Sequence, residues 1–527
     1  MVTLTRFGIA AMSAVLMFAL AGIASATDYE VNTVSDTTSS GHCTLRDAIN
    51  ASQGNPSPGA SCATRGGDNN TIKFSPSVAG QTIVLTSELP RLVNGTLTIE
   101  GPTPNGINVS ASSIPADMLE AVSLTLPARF KGLTLSNIGF SGGPANALFA
   151  LSVDPLHVTI SNCSFTNFGG SVIAGTNTVI AITNSTFTGN GNLNSAVVDS
   201  RSLTIGPPGP PISQTTIDQG NFVNNKGVAV NENGSALTIK NSTFTGNKVA
   251  VQGGAIGATT ITDSLFGNNQ QVAFNHSRGA GQVSNCTFSG NGNAIFNFGT
   301  VTTNIVGSTF TANSGPAIVN DGSSGGDAEV TILNSTFSGN GLSASNGGAF
   351  SNTNGIVDAA FSTFANNGAH TFYTYNNQAQ FTATILRGNI VSGGVSCYVP
   401  FPPSRYNDQG YNIYSDASCP MGPGSVSNTD PGLDPTGLGN HGGPTLTIAL
   451  SVSSAAAEFV PANQCLAQTS TPIPIRVTTD QRGYGRPAPI HPKSCSAGAF
   501  EYGAVAPPPG SSGGIFPLLL LGKKILF

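Results

Sequence analysis

Residues 235–247 read SALTIKNSTFTGN, and the same wording returns at residues 282–291 as QVSNCTFSGN and at residues 329–340 as EVTILNSTFSGN. In each stretch apolar or β-branched residues alternate with small polar ones up to a Phe, and the run ends at a Gly-Asn turn. That is strand periodicity followed by a turn signal. The Phe recurs at Phe222, Phe244, Phe266, Phe288 and Phe310, a spacing of 22 residues held four times running, and continues with insertions to Phe187, Phe165 and Phe140 upstream and to Phe337 and Phe364 downstream. A fixed period of this length, carried by strands with no comparable helical pattern, marks a solenoid. The expected fold is all-β: a right-handed parallel β-helix with an N-terminal cap and a small C-terminal β module. Each strand should pair with its equivalent one coil on, about 4.8 Å away.

Stacking accounts for the repeated residues without chemistry. Phe187, Phe222, Phe244, Phe266, Phe288, Phe310, Phe337 and Phe364 are expected to form an internal aromatic ladder. Asn247, Asn269, Asn291 and Asn313, with Asn190, Asn225, Asn340 and Asn367 beyond them, should stack at the turn, where Asn tolerates left-handed backbone and bonds to the next coil.

Residues 1–26 have the parts of a secretory signal: Arg6, an apolar run from Ile9 to Ile23, and Ala24-Ser25-Ala26, with cleavage expected after Ala26. The apolar run is shorter than the roughly 18–20 residues a membrane helix needs, and no other stretch approaches that length. Only 9% of residues are charged, 65 are Gly and none is Trp. The formal charge of -5 with 20 Lys and Arg leaves no basic stripe, so nucleic acid is excluded as a partner. Eight cysteines suit an oxidising compartment. Their positions suggest three local disulfides, Cys43 with Cys62, Cys397 with Cys419, and Cys465 with Cys495. Cys163 and Cys286 fall where other repeats carry Ser and read as small buried residues.

The recurring Phe-x-x-Asn (FTGN, FVNN, FGNN, FSGN, FTAN, FANN), with GGAI at residues 253–256 and GGAF at residues 347–350, resembles the repeats of the polymorphic outer-membrane protein family over residues 130–395. The resemblance implies a surface-exposed β-helix, in a family that includes adhesins and autotransporters. Too few residues follow the repeats for a twelve-stranded barrel at about 10 residues per strand, so self-transport is not expected. Near the start, YEVNTVSDTTSSGHCTLRDAINAS is similar to the CSLREA domain, whose motif reads CTLRDA here. It is expected to cap the solenoid, with Arg46 and Asp47 forming a salt bridge. LGNHGGPTLTIAL, TTDQRGYGRP and CSAGAFEYG resemble the choice-of-anchor Q domain, which implies attachment through a following tail. Ser496-Ala497 departs from that family, which more often has an acidic and an aliphatic residue there. VAPPPGSSGG, IFPLLLLG and two lysines then follow in the order of a processed sorting signal.

The expected organisation is a signal peptide at 1–26, a cap with first coils at 27–130, repeats at 131–395, a Tyr- and Pro-rich disulfide segment at 396–424, the choice-of-anchor Q-like domain at 425–503, and a linker with sorting tail at 504–527.

Glycoside hydrolysis needs two carboxyl groups about 5–9.5 Å apart. The acids of the repeats are Asp154, Asp199, Asp218, Glu232, Asp263, Asp321, Asp327, Glu329 and Asp358, and none forms an adjacent pair. The loop from Asp321 to Glu329 lacks regular calcium-loop spacing and reads as a solvated insertion. The six histidines have no metal-ligand spacing. No catalytic residue, cofactor or metal site is assigned. Tyr373, Tyr375, Tyr398, Tyr406, Tyr411 and Tyr414 cluster in the sequence, where they either pack the C-terminal end of the rod or form the candidate binding surface, since aromatic faces stack on sugars or anchor proteins. The leading expectation is an exported cell-surface or secreted protein that binds a glycan or protein ligand and attaches to the cell envelope through its C-terminal region. The alternative is a polysaccharide lyase or glycoside hydrolase, with a groove shaped by residues 192–218 or 321–345.

Overall fold

In the coil that starts at Ala236, strand Ala236–Lys240 turns at left-handed Asn241 into the short strand Thr243–Thr245, and a second turn at Gly246 leads into Val249–Gly253. Each strand pairs in parallel with its equivalents: Ala236–Lys240 lies between Gln214–Asp218 and Thr259–Thr262, Thr243–Thr245 between Asn221–Val223 and Leu265–Gly267, and Val249–Gly253 between Val228–Asn233 and Val272–His276. Repetition builds three faces, called here the leading, Phe and trailing sheets. Among the described residues the Phe sheet has fourteen strands. The leading and trailing sheets join into one 25-stranded sheet, because Leu148–Ser161 and Ile173–Thr183 run unbroken through the corner between them. The chain is a right-handed parallel β-helix, as its period predicts. This computed structural model describes residues 26–62, 67–124, 129–202, 213–234, 236–254, 257–323, 328–375, 383–398, 405–467 and 474–508. The expected signal segment as far as Ser25, Asp327 and the tail from residue 509 lie outside the described residues.

Inside the solenoid the aromatic ladder runs from Phe140 to Phe364, with successive ring centroids 4.4–5.2 Å apart. Stacked pairs of this kind are worth about 0.5–1.5 kcal/mol beyond the area they bury. Beside it, the amide of each ladder Asn donates to the carbonyl of the Phe one coil back, as Asn247 does to Phe222 and Asn269 to Phe244, both at 3.0 Å. Its side-chain oxygen accepts the backbone N–H of the preceding ladder Asn, 3.1 Å for Asn225 onto Asn247. The left-handed residue is the one before, at Gly189, Asn224, Gly246, Asn268, Gly290, Ala312, Gly339 and Asn366. The ladder Asn is therefore required for its amide, which satisfies backbone groups buried by the turn, rather than for the φ tolerance expected from sequence.

Ser185, Ser242, Ser264, Ser308, Ser335 and Ser362 form a second ladder, each hydroxyl accepting a backbone N–H from the coil before. Cys163 and Cys286 occupy this line as buried free thiols, and burial pushes them up to about 11 and about 12. Since the thiolate is the reactive form, native protein is expected to leave both unreactive toward an aromatic disulfide reagent, with two thiols appearing on denaturation. One fast-reacting thiol before unfolding would contradict this packing. The other six cysteines pair as Cys43–Cys62, Cys397–Cys419 and Cys465–Cys495.

At the N-terminal end, helix Leu45–Ser52 closes the first coils. Thr44 caps it by accepting the N–H of Asp47 at 3.0 Å and donating to its carboxylate at 2.8 Å. Arg46 does not pair with Asp47, because neighbours on a helix point to different faces. It reaches Asp36 at 2.8 Å and the carbonyls of Ser87 and Glu88, and so ties the cap to the coils.

The described C-terminal residues 425–467 and 474–508 fold back along the outside of the Phe sheet. Thr309, Thr336 and Thr363, successive outward residues of that sheet, are fully buried beneath them, whereas Thr243 and Thr287 in earlier coils are half-exposed. Gln481 supplies the join. Its oxygen accepts from Thr336 at 2.6 Å, and its nitrogen donates to Thr309 and Thr445 at 3.0 Å each. Apolar contact adds Phe361, Ile390 and Ile413 of the rod against Leu450, Val460 and Val477. Phe361 is the telling residue, since it takes a φ of +45° at a turn where other coils use Asn184, Asn241, Asn285 and Asn334. That conformation is costly for a bulky side chain, and the ring is kept there by the packed module and the Arg486 guanidinium 4.8 Å above it.

Candidate binding groove

The trailing sheet presents outward the column Asn231, Gln252, Asn275, Phe296, Val319, Ser351, Tyr373 and Tyr398, which are partners in register. Where this sheet turns into the next coil, the corners at Ser277-Arg278 and Gly299-Thr300 are only two residues long. Beside them lies an open groove of about 780 Å³ lined by Asn231, Asn233, Gln252, Gly254, Ser277, Arg278, Phe298, Gly299 and Thr300, with Glu232 beneath. At Gly254 a Cβ would come within 2.4 Å of the Ser277 hydroxyl, so a larger residue would turn that hydroxyl away from its present position.

The lining combines amides that both donate and accept, hydroxyls, one guanidinium and an exposed ring. Phe298 is 41% exposed, and its centroid lies 6.3 Å from that of Phe296 on the adjoining column. Among the described residues no carboxylate pairs with Arg278. At the N-terminal end of the groove, Asp199 is held by Arg201 at 2.6 Å and by the Asn231 amide at 2.8 Å, and this carboxylate raises the guanidinium pKa of Arg201 above its usual value. Glu232 turns its side chain into the solenoid, so the groove surface itself carries no free carboxylate among the described residues.

The structure separates the six tyrosines singled out by sequence. Tyr373 and Tyr398 lie side by side on the trailing sheet, 5.7 Å between centroids, and Tyr398 stacks on His370 at 4.0 Å. Tyr375 sits two residues further along the same strand, half-exposed. Tyr406 instead donates its hydroxyl to the Phe372 carbonyl at 3.0 Å, and burial raises its pKa. Tyr414 is buried with its hydroxyl on Asp408 at 3.1 Å, and Tyr411, half-buried, packs against the apolar cluster between rod and C-terminal module. These three pack the end of the rod, which narrows the aromatic surface to Tyr373, Tyr375 and Tyr398. The groove residues escaped the sequence reading because Asn, Gln and Ser are common throughout the repeats. Arg278 and Phe298 were the available signal, a cation and a large ring at corners where other coils have small polar residues.

Residues 123–310 match the family described as the right-handed β-helix region. No curated protein matches the chain. Among solved structures, ORF18 of Geobacillus virus E2 aligns with 63% of this chain at 14% identity and a TM-score of 0.39, and the chain spans 61% of that protein. The AlgE6 A-module of mannuronan C-5 epimerase from Azotobacter vinelandii aligns with 68% of this chain and 91% of its own length, at 11% identity and a TM-score of 0.40. Pectate lyase Pel9A aligns with 91% of this chain and 97% of its own length, at 12% identity and a TM-score of 0.25. None of these likenesses bears on what the groove binds.

Proposed function

We propose that this chain is an exported β-helix protein that binds an extended glycan on its trailing sheet, with the groove around Arg278 and Phe298 as the main site. The observation that carries this reading is the groove lining: amides and hydroxyls suited to sugar hydroxyls, an exposed ring suited to a sugar face, and, among the described residues, no free carboxylate pair on its surface. The three disulfides are compatible with an extracellular location, and residues 1–26 supply the expected export signal. The resemblance of residues 425–503 to the choice-of-anchor Q domain supports attachment through the tail beyond residue 508. Because residues 425–508 cover part of the rod, localisation is best tested by deleting residues 509–527 alone. Loss of surface display is expected; unchanged display removes the attachment role.

For the groove, a glycan array on native protein followed by titration with the bound oligosaccharide is the test. Phe298→Ala and Arg278→Ala are each expected to weaken binding about tenfold, roughly 1.4 kcal/mol. Affinity unchanged in both variants would place binding elsewhere. Unsaturated products or new reducing ends in the same incubations would replace binding by catalysis.

A further inference from the structure

Directly beneath the groove, the trailing sheet carries an inward column in which Gly175, Ser200, Glu232, Gly253 and His276 follow one another in register. The Glu232 side chain is buried, with 2% of the residue exposed, and neither carboxylate oxygen makes a hydrogen bond within the protein. Ser200 and Thr215 lie beside it, close enough for their hydroxyls to lower its pKa as donors although neither reaches full hydrogen-bond geometry, and the hydroxyl of Thr178 is unbonded. Thr178 faces Gly175, where a Cβ would stand 2.4 Å from its hydroxyl. Five buried oxygens without partners thus gather in two neighbouring coils, at a level where the column on either side is glycine. Further along, His276 bonds Thr303 through Nδ1 at 2.9 Å while its buried Nε2 has no partner, and beyond it the column is bonded, Thr303 to Asn297 at 3.0 Å and Asn320 to Asn352 at 3.0 Å.

A buried carboxylate needs a counter-charge, and a set of buried oxygens needs a partner. The Ser200 and Thr215 hydroxyls are the only donor groups of the described chain that approach this carboxyl, and no cation of the described chain pairs with it. Arg201, the nearest cation on the column's outer side, is committed to Asp199. His276 is held neutral by burial, its pKa lowered to about 4, and Gly253 separates it from Glu232. We propose that Glu232, Ser200 and Thr215 form an internal binding site for one monovalent alkali cation of sodium size. Hard cations take oxygen ligands at roughly 2.3–2.6 Å, and half the coil spacing of about 4.8 Å falls in that range. One positive charge neutralises the single carboxylate, whereas a divalent ion would leave a net charge in the core.

A proton is the competing occupant, because burial without a counter-ion lifts the carboxyl to about 8. In sodium-free buffer the folded state therefore holds a proton that the unfolded state gives up from about 4.5 upward, so stability falls as pH rises between these values. Sodium should offset that loss. Asp199, Arg201 and His276 are the other charged or titratable groups around this level. The test is thermal unfolding of the whole protein at pH 7.5 in sodium, potassium or choline chloride at equal ionic strength. Native protein should gain several degrees in sodium, saturably and more than in potassium. Glu232→Gln should abolish the sodium response, and Ser200→Ala should shift its midpoint about tenfold upward. Equal melting in all three salts overturns the proposal, as does a sodium response that survives Glu232→Gln. A response to added calcium but not sodium overturns the single-charge assignment. If Glu232→Gln fails to fold, the Ser200→Ala midpoint decides. None of these outcomes depends on what the groove binds.

Discussion

Asp480→Ala is expected to release residues 425–508 from the side of the rod while the coils remain folded. One carboxylate organises that whole junction. Its oxygens accept the Arg482 guanidinium at 2.6 and 2.9 Å, the N–H groups of Arg482 and Tyr484 at 2.9 and 3.0 Å, and the N–H of Glu501 at 3.0 Å. The Arg482 guanidinium lies 3.6 Å from the Phe500 ring centre and is as buried as the acid it serves. Removing one partner of such a pair leaves an uncompensated charge in the core and costs roughly 3–5 kcal/mol. The loss should fall on the module alone, because the carboxylate bonds no residue of the coils directly. Gln481, positioned by the same turn, is what holds Thr309 and Thr336. Once it is displaced, Phe361, Ile390 and Ile413 face water. Calorimetry should then show an early, separate transition, and limited proteolysis should cut within residues 425–508 while the rod resists. Asp480→Asn, which keeps one oxygen for the backbone N–H groups, should lose less. A single transition at the native temperature for Asp480→Ala would mean that the module is held by its apolar contacts instead.

Features that repeat were legible in the sequence. The Phe register fixed the coil length, and the three disulfide pairs followed from their separations of 19, 22 and 30 residues. What escaped were positions whose role depends on a neighbour from far along the chain. Thr309 and Thr287 carry the same letter at equivalent positions, yet one is buried by residues near 446 and 481 and the other is not. A repeat cannot announce where it is covered. It does leave traces where covering permits a substitution: Phe361 at a left-handed turn signalled a packed partner, and Glu232 on an inward column signalled an unmet charge. Both were passed over because period-two alternation classifies residues as inward or outward without asking whether the inward ones are apolar. Arg46 illustrates a local limit. Its charge was legible but its partner was not, since Asp36 approaches only after the chain has folded back.

The second large effect is expected from Phe266→Ala, in the middle of the aromatic ladder. Phe266 is fully buried and stacks on Phe244 at 5.0 Å and Phe288 at 4.7 Å. The rungs are fixed by backbone pairing on three sheets, so the walls cannot close on the space left behind. Deletions of this kind cost about 3–5 kcal/mol, with the upper end reached where the site does not relax. Phe140→Ala should cost less, because among the described residues Phe140 has only Phe165 as a ring neighbour and faces Val109 on its other side. The consequence for unfolding follows from the solenoid itself, in which each coil touches only the next. A weakened interface at Phe266 should divide the rod into two segments that no longer unfold together. They are not equally protected. The C-terminal segment is braced from Thr309 to Ile413 by the folded-back module, while the other has its cap and one disulfide at its far end. Hydrogen exchange on Phe266→Ala should therefore show strands before Phe266 opening first, with protection after Phe310 close to native. Uniform loss of protection along the whole rod would mean that the coils unfold as one cooperative unit and that coupling extends well beyond nearest neighbours.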